Sequence, residues 1–403
     1  MASDTFYVFR RRLKAALQSI PFYLWRIKPI QKNKIVFTTI EGTTGFTCNP
    51  KYIALELLRR NSRAEKTGDK YELVWLVNDP SKPFPPGIRV MKNTLWNRAR
   101  ELTTAAVWID NSRKQLEVRK RAGQFYLQTW HAKLGFKPTC LDRGASFSRI
   151  AYLVSKHDSD MIDLVLSNSD WYDRTLPTGM IYTGRVLRSG SPRCDILLRG
   201  RARQRRRIRE QYRLATDTRI FMYCPTFRGG SQATNRTVEK GDHAPDYDRL
   251  LAALQSRFGG DWVIFLRLHP QLTVRHIAEH AENPHLIDVS AVDDMYELLA
   301  ACDAFLTDYS SAAFDAAVMN IPVFLYCDDY ADYEGERGKL LWDLRRLPFP
   351  LAEDDEEFAK QIASFDKTAY LEALGQLFRE CGVEESGSAS RIVADAIDIK
   401  IHI

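Results

Sequence analysis

The chain has 403 residues, of which 45% are hydrophobic and 27% are charged, and its formal net charge at pH 7 is +7. This length and composition predict a soluble globular protein of two domains. No apolar stretch approaches the roughly 20 residues that span a bilayer, and no signal peptide is evident. The seven cysteines form no C-x-x-C pair and no cluster with histidine, which argues against a zinc site and is typical of a reduced cytoplasmic protein.

The positive charge is concentrated at the N-terminus. Residues 1–40 hold eight Lys and Arg against one acid, so the remaining residues sum to zero. Residues 5–30 add aromatic and aliphatic side chains, and five of these share one helical face: Phe6, Phe9, Leu13, Leu17 and Ile20. A basic amphipathic helix of this kind is typical of an anchor on anionic lipid. A helix packed on the body of the protein, with its charges solvated, is the alternative.

Strands and helices alternate through the first half of the chain. We predict strands at 35–39, 71–77, 88–90, 106–109, 124–128 and 164–167, with helices at about 50–60 and 94–105. This alternation predicts a parallel α/β sheet that binds ligands at the carboxyl ends of its strands. His131 lies just beyond one such end, in Gln128-Thr129-Trp130-His131.

An arginine-rich segment follows at residues 199–213, with eight arginines and one acid. On a helix it forms a strongly basic face. Nucleic acid, membrane phosphate and a solvated interdomain helix are the three interpretations. No aromatic residues alternate with the arginines and no nucleic-acid-binding motif accompanies them, so we favour the last two.

The second half repeats the alternation. We predict strands at 219–223, 262–268 and 286–288, helices at 246–257, 295–301 and about 354–400, and a Gly- and Ser-rich loop at 229–245. The first strand runs into Pro225-Thr226-Phe227-Arg228, and the second ends in Arg267-Leu268-His269-Pro270. Polar residues again follow strand ends, so a cleft between the two domains is expected.

Residues 303–338 form the unit around which we expect the chain to be organised. A strand at 304–306 ends in Thr307-Asp308-Tyr309-Ser310-Ser311, a helix covers 312–319, and a strand follows at 323–326. The turn places backbone N–H groups and two hydroxyls at a helix start, which suits phosphate. Arg337, after an acidic loop, is placed to add fixed positive charge. Simple capping by Ser310 or Ser311 is the alternative.

Each half thus supplies one histidine at a strand end, His131 and His269. A histidine titrates near neutrality and can take a proton from a hydroxyl nucleophile. Arginines and hydroxyls near His269 suit a diphosphate: Arg267, Thr226, Arg228, Ser310, Ser311 and Arg337. No P-loop, G-x-G-x-x-G or D-x-D is present, and Asp328-Asp329 read as loop acids. We therefore predict a metal-independent reaction without a cofactor.

Six short segments, in order, resemble the CDP-glycerol glycerophosphotransferases that build teichoic-acid and capsule polymers. They are Q-T-W-H at 128–131, G-S-P-R-C-D at 190–195, P-T-F-R at 225–228, R-L-H-P at 267–270, T-D-Y-S-S with F-D at 307–315, and E-R-G at 336–338. The resemblance covers about residues 34–345. After W-H the family runs G-T-P-x-K, whereas this chain has A-K-L-G-F-K at 132–137. That departure bears on the choice of acceptor.

The resemblance implies a GT-B architecture of two Rossmann-like α/β domains, and transfer of glycerol phosphate from CDP-glycerol to a hydroxyl with release of CMP. It implies that His131 is the base on the acceptor hydroxyl and that His269 acts with the donor phosphates. The implied substrate-binding residues are Thr226, Arg228, Arg267, Thr307, Asp308, Ser310, Ser311, Arg337 and Gly338. The acceptor is expected to be a lipid-linked glycan or polyol phosphate at the cytoplasmic face of the membrane, where the protein is peripheral.

We predict five segments: a membrane-associating stretch at 1–33, an acceptor domain at 34–198, an Arg-rich linker helix at 199–217, a donor domain at 218–375 and a C-terminal helix at 376–403. We expect residues 5–34 to contact the anionic surface, and no nucleic acid to bind. Four alternatives stay open. They are a CDP-ribitol donor, a sugar-nucleotide GT-B transferase, a membrane-bound scaffold of a polymer-export complex, and an RNA-binding protein that uses residues 199–213.

Overall fold

The computed structural model describes residues 2–64, 70–226, 243–268, 283–337 and 339–402. The chain forms two compact units. Unit 1 comprises Met1–Lys133, Thr139–Asp195 and Gly382–Ile403, and unit 2 comprises Leu134–Pro138 and Ile196–Cys381. Within the described residues, none of the helices is both long enough and apolar enough to cross a membrane.

In chain order, the first elements are α1 (Ala2–Gln18), α2 (Ile20–Leu24), β1 (Gln31–Thr38), α3 (Cys48–Arg63), β2 (Glu72–Val77), β3 (Ile88–Lys92), α4 (Leu95–Thr104), β4 (Ala105–Asp110), β5 (Phe125–Gln128), α5 (Arg149–Ser159), β6 (Leu164–Ser167), α6 (Asp170–Gly179), β7 (Val186–Arg188) and α7 (Asp195–Arg199). Then follow α8 (Arg201–Tyr212), β8 (Arg219–Tyr223), α9 (Tyr247–Phe258), β9 (Trp262–Leu266), β10 (Leu286–Asp288), α10 (Met295–Leu299), β11 (Ala304–Thr307), α11 (Ala312–Ala317), β12 (Val323–Tyr326), α12 (Tyr330–Arg337), β13 (Leu351–Ala352), α13 (Asp355–Ala363), α14 (Lys367–Cys381) and α15 (Ala389–His402). Short 3-10 turns lie at Trp25–Ile27, Ile40–Gly42, Cys140–Ser146, Pro192–Cys194 and Leu344–Arg346.

Each unit is built on one parallel sheet. In unit 1 seven strands lie in the order β3-β2-β1-β4-β5-β6-β7, and in unit 2 six strands lie in the order β10-β9-β8-β11-β12-β13. The central strands are buried on both faces, which is why they read as unbroken apolar runs; Phe37, for example, pairs with Trp75 on one side and Ile109 on the other. The predicted α/β class with two parallel Rossmann-like sheets is confirmed.

The strand order reverses between β1 and β4 in unit 1 and between β8 and β11 in unit 2. In open parallel sheets, ligands bind outside the carboxyl ends of the strands at such a point. Thr226 follows β8 and Thr307 ends β11, so both predicted turns lie at the reversal of unit 2. Asn111 follows β4, and His131 follows the next strand of the sheet, β5.

Several bounds differ from the predicted ones. The C-terminal segment is divided: α14 belongs to unit 2, whereas α15 lies in unit 1, where Val393, Ala394 and Ile397 join the core beneath α3. The predicted helix 312–319 stops at Ala317, before Asn320 with its positive φ of 56°. The acidic loop predicted before Arg337 is the helix α12, and strands β7 and β13 and helices α5 and α6 were not predicted. The Gly- and Ser-rich loop lies mostly outside the described residues.

Candidate active site

A buried carboxylate ties together the two turns of unit 2. The Thr226 N–H donates to both oxygens of Asp308, at 2.9 and 2.8 Å, and the Thr226 hydroxyl donates to Asp308 Oδ1 at 2.5 Å. The Tyr309 N–H adds a fourth bond at 2.6 Å, and Asp308 is only 2% exposed. These bonds occupy the carboxylate. Asp308 and Thr226, both predicted to bind substrate, therefore hold the turns after β8 and β11 in place.

Two more residues that were predicted to bind substrate, Thr307 and Arg267, form hydrogen bonds to backbone carbonyls instead. The buried Thr307 hydroxyl donates to the Cys224 carbonyl at 2.6 Å. The Arg267 guanidinium donates to three carbonyls of the loop at 289–293, the nearest being Val292 O at 2.5 Å. Donors used in this way stabilise the loops that follow the strands. In the described structure, Thr307 and Arg267 are parts of the scaffold.

The two serines at the start of α11 differ. Ser310 Oγ accepts from the Ala312 N–H at 3.3 Å, so it caps the helix as the plainer interpretation proposed. Ser311 is the residue before α11, and its side chain makes no capping bond. Its hydroxyl is partly exposed and has no hydrogen-bond partner among the described residues. Of the predicted hydroxyls, that of Ser311 therefore remains the candidate for contact with a ligand.

An aromatic pair fixes the next helix beside this turn. The rings of Tyr309 and Tyr333 stack with centroids 3.7 Å apart, and the Tyr309 hydroxyl donates to Asp329 at 2.8 Å. Tyr333 lies on α12, whose last residue is Arg337. The side chain of Arg337, together with Arg228, His269 and Gly338, lies outside the described residues.

The segment after the predicted base packs on unit 2. Phe136 contacts Phe314 with ring centroids 5.0 Å apart, and the Trp342 indole donates to the Gly135 carbonyl at 3.1 Å. A Cβ added at Gly135 would lie 3.6 Å from the Cβ of Ser311. Lys137 places its ammonium 5.6 Å from the ring centre of Tyr333. This segment, which departs from the family pattern, therefore brings a cation to the candidate donor site.

In unit 1 the turn that carries His131 is held by hydrogen bonds between side chains and backbone groups. The Gln128 side chain accepts from the Trp130 N–H at 2.9 Å and donates to the Ser112 carbonyl at 3.0 Å. Arg193 donates to the His131 carbonyl at 2.5 Å. Trp130 sits at a φ of 50°, a conformation that bulky residues rarely adopt. A strained turn held from several sides is typical of a functional position.

The His131 ring has one defined tautomer. Its Nδ1 lies 2.7 Å from the Asn111 carbonyl, which can only accept, so Nδ1 carries the proton and Nε2 presents a lone pair. Burial lowers the pKa of His131 to about 4; the hydrogen bond to Asn111 opposes this, and the charges of Arg193 and Arg113 lower the pKa further. The ring is therefore a neutral base at neutral pH.

A family model described as CDP-glycerol:poly(glycerophosphate) glycerophosphotransferase matches residues 20–397. The chain belongs to this family. It is 28% identical over 393 residues to a teichoic acid poly(glycerol phosphate) polymerase of Staphylococcus epidermidis, a match that covers 92% of this chain and 51% of the relative. It is 27% identical over 375 residues to a teichoic acid glycerol-phosphate transferase of Staphylococcus aureus, covering 90% of this chain and 92% of the relative. Matched relatives also include proteins named ribitol-phosphate polymerases.

The chain thus spans about half the length of the first of these relatives. A solved structure of the wall teichoic acid polymerase TagF superimposes with a TM-score of 0.79 at 24% identity, covering 98% of each chain. This likeness concerns the fold, and it agrees with the GT-B type of two Rossmann-like units that the resemblance implied.

Sequence reasoning missed most of the groups around the predicted base, His131. Below the His131 turn, Lys114 pairs with Asp110 at 2.5 Å, and Asp158 accepts from Tyr126 at 3.0 Å. Burial raises the pKa of Asp158 to about 7. A polar triplet directly after a predicted strand, Asn111-Ser112-Arg113, was the available signal. Arg193 was present in the G-S-P-R-C-D segment but was given no role.

Among the described residues, one group has the composition of a metal site. His243, Asp328 and Asp329 each offer a ligand atom, and these atoms lie within 4.8 Å of one another. His243 Nδ1 lies 2.9 Å from Asp328, and Asp329 accepts from Tyr309, so the group also forms a hydrogen-bonded cluster without a metal. That the reaction needs no metal stays a prediction.

Proposed function

We propose that this chain transfers glycerol phosphate from CDP-glycerol to a hydroxyl of a membrane-linked glycan or polyol-phosphate acceptor, with release of CMP. The observation that carries the proposal is the His131 ring, whose Nδ1–H is bound to the Asn111 carbonyl at 2.7 Å. This bond directs the basic Nε2 away from the turn. Family membership supplies the reaction class, and the ring supplies a group able to perform it.

The chemical step uses the ring as a general base. Nε2 takes the proton of the acceptor hydroxyl as its oxygen attacks the β-phosphorus. The bond from that phosphorus to the bridging oxygen breaks, and CMP leaves with the electron pair. The proton that His131 gains then passes to solvent, which restores the neutral ring. No covalent enzyme intermediate is needed.

Part of the lowering of the His131 pKa comes from charges that a bound phosphate would offset. Burial is the main cause, and Arg193 and Arg113 lower the pKa further. An anionic phosphoryl group beside these guanidinium groups offsets their charge. The pKa of the ring then rises toward neutrality, and the ring becomes a stronger base once the donor is bound.

On unit 2, we assign the donor diphosphate to the turn at the strand reversal. The Ser311 hydroxyl and the Lys137 ammonium are the described groups that support this assignment. Arg228, His269 and Arg337 complete the proposed set on the basis of the family resemblance. Several fixed cations are able to neutralise a diphosphate, so turnover is expected to continue in EDTA.

We further propose that α1 lies on the cytoplasmic surface of an anionic membrane. The predicted apolar face is exposed rather than packed on the protein: Phe6 is 63%, Phe9 61% and Leu17 60% exposed. The opposite side holds α1 to unit 1 through Val8 and Ala15. Exposed arginines and lysines flank this apolar stripe, which suits anionic lipid headgroups.

The test is CMP release by the purified protein supplied with CDP-glycerol, with and without a membrane lipid extract, in the presence of EDTA. Acceptor-dependent release supports the transfer. Binding of the protein to vesicles with and without phosphatidylglycerol tests the membrane step separately. Absence of both CMP release and CDP-glycerol binding would contradict the proposal.

A CDP-ribitol donor is the second candidate, because ribitol-phosphate polymerases are among the matched relatives. The two donors share the cytidine diphosphate and differ in the length of the polyol. A panel of CDP-glycerol, CDP-ribitol and UDP-sugars separates them by kcat/KM, and also tests the sugar-transferase alternative. A protein that binds these donors but releases no CMP would instead match the scaffold alternative.

A further inference from the structure

The arginine-rich segment forms part of a cavity that the proposed reaction does not use. A cavity of about 460 Å³ in unit 2 is lined by Arg201 and Arg205 from α8 and by Lys367 and Leu371 from α14. Asp303 and the residues at 319–322 complete its lining. Asp303 precedes β11 and Pro322 precedes β12, so the cavity lies at the amino edge of the sheet. The candidate donor site lies at the opposite, carboxyl edge.

The charges of the cavity are unbalanced. Three cations face one carboxylate, and that carboxylate is already engaged: Asp303 accepts from Arg205 at 2.7 Å and from the Ile220 N–H at 3.0 Å, and lies 3.7 Å from Arg209. Lys367 has no hydrogen-bond or ion-pair partner among the described residues. Positive charge that no acid among the described residues neutralises favours an anion.

The two guanidinium groups are fixed on the cavity wall. Arg201 donates through Nε to the Ala300 carbonyl at 3.3 Å and through Nη2 to the Cys302 carbonyl at 2.8 Å. A guanidinium has five N–H donors, so each arginine keeps donors beyond these bonds. Burial, and then repulsion from Arg205, lower the pKa of Arg201. An anion between the groups relieves that repulsion and accepts the remaining donors.

Apart from the polar Asn320, the remaining wall is apolar. Met319, Ile321, Pro322 and Leu371 line it, and the cavity volume falls in the range that holds a small organic molecule. Inorganic phosphate alone would leave this surface in contact with water. A molecule with a phosphate at one end and a short apolar group at the other matches both walls.

We propose that this cavity is a second anion site, separate from the donor site, that binds a phosphate monoester carrying an apolar group. A guanidinium pair suits the phosphate because it offers parallel N–H donors to two oxygens, and Lys367 adds a third cation. A ligand here contacts α8, α14 and the starts of β11 and β12. It therefore stabilises unit 2, by an amount that grows with the logarithm of its concentration above the Kd.

The experiment compares hexyl phosphate with inorganic phosphate by isothermal titration calorimetry, using the full chain in the presence of saturating CDP-glycerol. Hexyl phosphate is expected to bind more tightly. Lys367→Glu and Arg201→Gln should each weaken its binding by about tenfold or more. Arg203→Glu is the matched control, because Arg203 is exposed on the same helix and does not line the cavity. Thermal unfolding confirms that each variant is folded.

Three results would overturn the proposal: equal binding by wild type and both cavity variants, equal weakening in the control, or loss of hexyl phosphate binding when CDP-glycerol is added. A second arm identifies the source of the ligand. If vesicles containing phosphatidic acid bind wild type better than Lys367→Glu, while Arg203→Glu behaves as wild type, the cavity takes a lipid headgroup. If the vesicles do not distinguish the variants and hexyl phosphate does, the cavity takes a free phosphate ester. CMP release from CDP-glycerol is independent of these results, so the proposed reaction and this site fail separately.

Discussion

Polar residues follow the strand ends in both units, but they have different roles in the two. In unit 1 the polar groups after β4 and β5 bond to the turn that carries His131 and leave the Nε2 of the proposed base with a lone pair. In unit 2 the polar groups after β8 and β11 mostly bind the backbone, and Ser311 is the predicted hydroxyl without a partner in the described part. A polar residue at a strand end is therefore as apt to hold the turn as to meet the ligand.

The largest effect is expected at His131. We predict that His131→Ala lowers kcat by about a thousandfold, because the acceptor hydroxyl loses its base, while the affinity for CDP-glycerol stays nearly unchanged. His285→Ala is the control, since His285 is a partly exposed histidine that bonds to the Trp262 carbonyl in unit 2. Initial rates of CMP release give kcat, and titration with CDP-glycerol gives the affinity for the donor. Retained turnover in His131→Ala would remove the ring from the role of base.

The pH dependence sharpens this assignment. The pKa of His131 in the free protein is lowered to about 4, so the ring is neutral above that pH and protonated below it. The acid limb of kcat/KM is therefore expected near pH 4 rather than at the ordinary histidine value. If the bound donor raises the pKa as proposed, the acid limb of kcat lies at higher pH than that of kcat/KM. Coincident limbs would argue against the proposed effect of the donor phosphate on the ring.

Substitution of Asp308, unlike that of His131, should act mainly by lowering the stability of the protein. We predict that Asp308→Ala lowers the free energy of unfolding by about 3 kcal/mol, because the N–H groups of Thr226 and Tyr309 lose a buried acceptor. Donor affinity falls as a consequence of the disordered turns. Asp308→Asn keeps one acceptor oxygen and should recover part of the stability. Chemical denaturation measures both variants, and an unchanged stability in Asp308→Ala would contradict the structural role.

Most of the strands and helices could be predicted from the sequence. Which residues of the candidate site hold the turns and which are available to a ligand could not. Continuous apolar runs located most central strands because parallel strands are buried on both faces. The motif containing Asp308 and Ser311 was found, but a motif does not distinguish a carboxylate that accepts four internal bonds from a hydroxyl that accepts none. Asn111 and Arg193 act on His131 from other strand ends, 20 and 62 positions away. Such contacts depend on tertiary packing, which periodicity does not report.

Substitution of Ser311 should have a smaller effect than that of Asp308, and the effect should be on donor binding rather than on stability. We predict that Ser311→Ala raises the KM for CDP-glycerol by about tenfold, the cost of one hydrogen bond to a charged phosphate oxygen, with no loss of stability. Ser310→Ala is the matched control, because Ser310 caps α11. It should lower stability by about 1 kcal/mol and change KM little. A reversal of these two results would assign the phosphate contact to Ser310.

The smallest effect concerns the buried acid of unit 1. Burial raises the pKa of Asp158 to about 7, above its ordinary value near 3.8. An acid whose pKa is raised in the folded state contributes stability at low pH, and that contribution falls as the pH rises toward and through about 7. Between pH 6 and 8 this group should lower the free energy of unfolding by roughly 1.5 kcal/mol.

Asp158→Asn removes the charge and keeps an oxygen for the Tyr126 hydroxyl and the Lys114 N–H, which both bond to Asp158 Oδ1. The variant should therefore lose this part of the pH dependence, and the difference in stability between the two proteins should widen as the pH rises toward 7 and level off above it. Asp160→Asn is the control, since Asp160 is an exposed acid paired with Lys156 at the end of the same helix. Parallel stability profiles for wild type and Asp158→Asn would mean that Asp158 is already ionised at pH 6. In that case Lys114 would compensate both Asp110 and Asp158, and the buried polar network would carry one more negative charge at pH 6 than it does with a protonated Asp158.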